Sequence, residues 1–124
     1  MTAQKTDKQC VTRVELIDNW HARWPQVLSA IESDGQRHML RIDSDGWLST
    51  RQVLLAAFCD DMVAGHLSFN LEPVTQADRN VVVKAQLDSC GVRPGFSRAQ
   101  VESLLRSAAV SRAQELRCVE RSGF

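Results

Sequence analysis

The sequence predicts an α+β domain, a mostly antiparallel mixed sheet flanked by helices, and three observations carry that prediction. Gln52 to Asp60 and Met62 to Leu71 are apolar segments that face each other across Asp60-Asp61, the pattern of a β-hairpin. Val81 to Asp88 reads as a further strand and runs into the turn Gly91-Val92-Arg93-Pro94-Gly95-Phe96. From Ser97 onward, apolar residues recur at helical spacing. A strand aimed into a helix N-terminus presents unpaired N–H groups and the positive end of the helix dipole, a natural place to hold a phosphate.

Taken in order, Met1 to Cys10 is polar and reads as a flexible N-terminal segment, and Val11 to Leu16 as a first strand. Asp18 or Asn19 then caps a helix through Trp20, Trp24, Val27, Leu28 and Ile31. Trp20 and Trp24 would share one face and pack on the sheet, or line an aromatic substrate wall. Pro25 either kinks this helix or starts a second one. Asp43-Ser44-Asp45-Gly46 invites comparison with a calcium loop, but Arg41 and Gln52 occupy the first and twelfth ligand places, so a turn is expected and no metal site. Glu72 to Asn80 has a loop composition. Ser97 with Gln100 forms a capping box, and Val101, Leu104, Leu105, Ala108, Ala109, Ala113 and Leu116 would bury one helix face.

A length of 124 residues fits one domain, expected from Val11 to Phe124. Fifteen basic and fifteen acidic side chains cancel, so charge does not point to nucleic acid or an anionic membrane as partner. Between Arg93 and Arg121 arginines outnumber glutamates, which gives the last helix a mildly basic surface. With no signal-like start and no membrane-length apolar run, a soluble cytoplasmic protein is expected. Cys10, Cys59, Cys90 and Cys118 form no close pair, and the expectation is four reduced thiols.

Laid along the chain, these segments resemble the GNAT N-acetyltransferases over about half its length. Val53 to Asn70 resembles their second and third strands, with Met62-Val63-Ala64-Gly65-His66 similar to the "VGH" entry of the third, and Val81 to Val92 resembles the fourth strand and its splayed end. Val92, Pro94 and Phe96 match the V-x-P-x-Y/F stretch. The resemblance implies acetyl-CoA or another acyl-CoA as co-substrate, with the backbone of Cys90, Gly91 and Val92 beside the acetyl carbonyl and pantetheine amides. It places Ser97, Arg98, Ala99, Gln100, Val101 and Glu102 at the pyrophosphate. There the family's Arg/Gln-x-x-Gly-x-Gly/Ala motif falls on Ser97, Gln100 and Glu102, which all depart from it. Glycine lets the backbone approach the phosphate, whereas a carboxylate at ~6 Å would cost on the order of 3 kcal/mol. Glu102 pointing away, or Arg98 and Arg93 meeting the phosphates, would offset this.

Family members continue with a fifth strand, a helix that often carries a tyrosine near the CoA sulfur, and two more strands. This sequence contains no tyrosine. Val119 to Phe124 resembles the Y-E-K-x-G-F end of that helix, leaving open a deleted fifth strand or a truncated one at Leu116 to Val119. A sheet ending there has an open edge, from which a homodimer is expected.

Acetyl transfer needs a base for the amine. Asp88 on the fourth strand is the leading candidate, His66 on the third the next, and Cys90 would place a thiol beside the acetyl group. The expected function is acyl transfer from acetyl-CoA to an amine that the sequence does not identify. The alternative is a catalytically inactive interaction or regulatory module on the same fold, which Gln100, Glu102 and the missing tyrosine favour.

Overall fold

The computed structural model describes residues 13–124. The expectations for Met1 to Cys10, and for Val11 and Thr12 of the first strand, lie outside the described residues. Among the described residues five strands, β1 (Arg13–Ile17), β2 (Gln52–Cys59), β3 (Met62–Thr75), β4 (Val81–Val92) and β5 (Glu120–Ser122), lie in the order β1-β2-β3-β4-β5. All neighbours are antiparallel except β4 and β5, which run parallel. Helices α1 (Trp24–Ser33) and α2 (Arg98–Glu115) cover opposite faces. No helix among the described residues is long and apolar enough to cross a membrane.

Alternation along β2 sends Leu54, Ala56 and Phe58 into the α1-side core with Val27 and Ile31, and Val53, Leu55 and Ala57 into the α2-side core with Leu105 and Ala109. A strand buried on both faces reads as a continuous apolar run, as β2 does. The hairpin turn holds Asp60 at φ 54°, a left-handed conformation that Asp tolerates better than most residues.

Several expectations are corrected. The first helix begins at Trp24, not near Trp20, because Pro25 lies in its first turn, where a missing N–H costs nothing. Asp18 accepts from the Trp20 N–H and Asn19 from the Leu48 N–H, so both hold turns instead of capping a helix. Trp24 is buried, whereas Trp20 is 81% exposed and leans edge-on against Trp47. The segment taken for a loop from Glu72 is strand as far as Thr75, with Pro73 opposite Val83. Pro73 is accommodated because β2 stops pairing at Asn70, leaving that side of β3 without a ladder. Leu104 is 40% exposed; α2 packs through Val101, Leu105, Ala109 and Ala113, a straight row four residues apart. Cys59 is in a disulfide, which corrects the expectation of four reduced thiols. Asp43 does hold a turn, accepting from the Asp45 and Trp47 N–H groups.

The fifth strand is neither deleted nor at Leu116 to Val119. Helix α2 ends in a Schellman arrangement, with Arg117 at φ 58° and bonds from Arg117 N–H to the Gln114 carbonyl and Cys118 N–H to the Ala113 carbonyl. This turns the chain back so that Val119 N–H meets the Val83 carbonyl and Glu120–Ser122 pair with Lys84 to Gln86. Of the residues resembling a helix end, Glu120–Ser122 are therefore strand.

Candidate active site

One extra residue in β4 organises this region. The β3–β4 register shifts between Ser68 and Phe69, so Phe69 faces Leu87 and Ser68 faces Ser89, leaving Asp88 as a bulge. The bulge aims Asp88 and Ser89 at the same, α1-side face. Beyond it, the Arg93 N–H bonds the Ala64 carbonyl. Strand alternation from that bond turns the main chain of Gly91 toward β3 and the N–H and C=O groups of Cys90 and Val92 outward. The parallel strand β5 covers β4 only from Lys84 to Gln86, so these outward groups lie on an open edge among the described residues.

On the α1 side of this edge, Asp88 accepts from Gln52 Nε2 at 3.2 Å and lies 3.6 Å from the Arg41 guanidinium. Gln52 also donates to the Met39 carbonyl and accepts from the Arg41 N–H, which ties the segment after α1 to the sheet. Behind Asp88, His66 is 2% exposed, with Nε2 3.3 Å from Ser89 Oγ, itself 2.8 Å from Ser68 Oγ. Burial pushes the His66 pKa down to about 4, against a smaller upward pull from Asp34 at the end of α1. The imidazole is thus neutral and packed beneath the strand. Gly91 accommodates it, since a Cβ there would come within 2.9 Å of His66 Cε1.

On the α2 side, Gly95 at φ 91° makes the turn after β4 and Phe96 plugs into the core. Ser97 caps α2 by accepting the Gln100 N–H at 3.4 Å. Ser97→Ala is expected to lower stability by about 1 kcal/mol, read from the urea midpoint; no change would mean the cap is not holding the helix start. Helix α2 lies close over β3 because Gly65 has no side chain. Glu102 does not stand as an isolated charge: it pairs with Arg98 at 3.8 Å and Arg106 at 3.2 Å, and Arg106 donates to the Gly123 carbonyl at 2.9 Å. A hollow of about 520 Å³ is lined by Arg98, Ala99, Glu102, Ser103 and Arg106. The half-buried Cys90 thiol has its pKa raised by burial and then by Glu102, with Arg106 and Arg98 opposing.

The sequence-derived residues therefore gather around one strand edge on two faces. Asp88 and His66 lie on the α1 side, Cys90 and Val92 at the edge, and Arg98, Ala99 and Glu102 on the α2 side. Val101 is fully buried in the core, and Arg93 pairs with Asp34 at 3.3 Å instead of joining the arginines of α2. Sequence reasoning missed Arg41, Gln52, Ser89 and Arg106. Arg106 was legible as the partner four residues after Glu102. Arg41 and Gln52 carried no local signal, because the fold alone brings them to Asp88.

No protein-family model matches the sequence, and no curated protein matches it. Among solved structures, the chain is similar to an aminoglycoside acetyltransferase, meta-AAC0020, from an uncultured soil metagenomic sample, with TM-score 0.66 and 15% identity over 90% of this chain and 76% of that one. It is similar to a ribosomal-protein-alanine N-acetyltransferase from Brucella melitensis biovar Abortus 2308, with TM-score 0.63 and 15% identity over 89% and 77%. It is also similar to an acetyltransferase from Vibrio fischeri, with TM-score 0.67 and 10% identity over 90% and 94%. At such identities these likenesses establish the fold, which is that of the GNAT acetyltransferases.

Proposed function

We propose that the protein binds acetyl-CoA or a related acyl-CoA along the open edge of β4 and transfers the acyl group to an amine. The observation that carries this reading is that, among the described residues, β5 pairs with β4 only from Lys84 to Gln86, so that the outward main chain of Cys90 and Val92 has no strand partner there, beside the start of α2. Acetyl-CoA held there would supply an acyl thioester: the amine nitrogen bonds the acyl carbon, the carbon–sulfur bond breaks, and CoA leaves as the thiol, its sulfur taking up a proton in place of the one the amine gives up. The outward N–H groups of Cys90 and Val92 donate to carbonyl oxygens at that edge. Arg98 and Arg106 supply the positive charge for a diphosphate that small residues and bare backbone would otherwise supply, and already counter Glu102. Asp88 takes the proton of the attacking amine once Arg41 yields its place. His66, buried and neutral, supports Ser89 and β4 and is not placed to take that proton. The exposed outer side of β5 is the edge on which a second copy would pair, and we include a homodimer in this reading.

The second reading is a GNAT-fold module without catalysis, favoured by Gln100 and Glu102 at the pyrophosphate positions. Isothermal titration of the full chain with acetyl-CoA separates the two. Micromolar binding is expected, weakened about fivefold in Arg98→Ala, whose side chain is 72% exposed and pairs only with Glu102 among the described residues. Absence of binding at millimolar acetyl-CoA, with binding restored in the Gln100→Gly/Glu102→Gly variant, would decide for the module.

A further inference from the structure

We propose that a second cleft, at the other end of α2, binds a planar aromatic carboxylate. The cleft holds about 740 Å³, within the range of small-molecule sites, and is built by the end of β1, the turns at 18–20 and 41–50, the start of β2 and the last turn of α2. Arg112, on its wall, follows Arg106, the last lining residue of the hollow at the start of α2, by six positions, about 9 Å along the helix. The proposal does not rest on the acyl-transfer reading.

Two observations name the ligand chemistry. The first is aromatic. Trp20 and Trp47, 81% and 42% exposed, stand edge to face with ring centroids 5.0 Å apart on the cleft wall, beside the 41% exposed Leu16. Their positions are set before any ligand arrives: Asp18 holds the Trp20 N–H, Asp43 the Trp47 N–H, and Asn19 staples one turn to the other through the Leu48 N–H. So much indole surface held open to water, in a concave site and on fixed turns, suits a flat ring as occupant.

The second is charge. Arg41 and Arg112 both line the cleft. Among the described residues, Arg112 Nε is buried without a hydrogen-bond acceptor and Nη1 reaches only Glu115, at 3.3 Å, whose side chain is 65% exposed. The Arg112 side chain is 35% exposed on the cleft wall, and of its outer guanidinium nitrogens only Nη1 has an acceptor among the described residues, so a carboxylate in the cleft would pair with the exposed head. Asp18 and Asp43 carry opposite charge there, but each already directs an oxygen to its own turn.

The test is tryptophan fluorescence of the full chain titrated with para-nitrobenzoate, a ring that quenches indole, against para-nitrobenzylamine, the same ring with reversed charge. Buried Trp24 provides an internal signal away from the probe. Saturable quenching by the carboxylate is expected, with the amine at least about tenfold weaker, and about a tenfold loss in Arg112→Gln at unchanged far-ultraviolet circular dichroism. Should Arg112→Gln not fold, Trp20→Ser, at a side chain largely in solvent, takes its place and should abolish saturation. Linear, unsaturable quenching by both probes, equal affinity for both charges, or saturation undisturbed in the variants would overturn the proposal.

Discussion

Gly65→Ala is expected to destabilise the protein by about 3 kcal/mol, the upper part of the usual range for forcing a methyl group into a packed core. The added Cβ would lie 2.6 Å from the Gly91 carbonyl oxygen and 2.9 Å from Val101 Cγ1. The first contact is with backbone of a neighbouring strand and cannot be relieved by a rotamer change. The second presses on the residue through which α2 seats itself on β3. Relief requires α2 to lift or β4 to shift, and both elements frame the open edge. The measurement is the urea midpoint of Gly65→Ala against the parent at an unchanged slope. A loss below about 1 kcal/mol would show that the helix is not seated on this glycine.

The next expected result is a loss of stability on mild acidification. Released into an unfolded chain, His66 takes a proton near 6.5; folded, burial holds its pKa at about 4. Between those values the unfolded chain binds more protons, so each step down in pH favours it. The native state should lose about 3 kcal/mol between pH 6.5 and pH 4, with full stability above that window. Other charges around His66 do not reverse the sign. Asp34, facing it from the end of α1, favours the protonated ring but is the weaker influence, and is itself paired with Arg93. Glu15, whose carboxyl is held down by bonds from Arg13 and His21, adds a loss of the same sign that begins as the pH falls to the ordinary carboxylate range, at the acid end of this window. Chemical denaturation at a series of pH values checks this, with His66→Gln as comparison. The variant should be less stable at neutral pH and show a flatter profile from pH 6.5 to 4. An equally steep profile in His66→Gln would assign the sensitivity to other groups.

These two results bear on the candidate site as well as on stability. Gly65 leaves room for α2 and the Gly91 carbonyl on one face of the sheet, and Gly91 leaves room for the His66 ring on the other. Together these close approaches fix β4 where its main chain turns outward. His66, a candidate base in sequence, is 2% exposed with Nε2 toward Ser89 Oγ, and in the proposed reading it supports the strand edge.

Hairpin β2–β3, strand β4, the cap at Ser97 and the apolar row of α2 were legible because each depends on neighbours in the chain. Alternation, helical spacing and capping are local patterns, and burial reinforces them. Even the close approach at Gly65 had a trace, in the small residue within Met62 to His66. The start of α1 was misread because the spacing of Trp20 and Trp24 imitates a helical face, and Pro25 alone does not say on which side of it a helix lies. Strand β3 outran its expected end because Pro73 is tolerated where no third strand needs its N–H.

By itself, then, the sequence determined the order and kind of nearly all the elements and the place where a strand meets a capped helix. Only the tertiary structure decided that Glu120–Ser122 returns beside β4 as a parallel strand, that Asp88 is a bulge held by Arg41 and Gln52, and that Glu102 stands between two arginines. It also brought Trp20 and Trp47 together across one cleft. The physical reason is the range of the interactions involved. Periodic burial and capping act over one or two turns of chain, whereas strand pairing, ion pairs and clefts join residues that are distant in sequence and acquire a partner only after the backbone has folded.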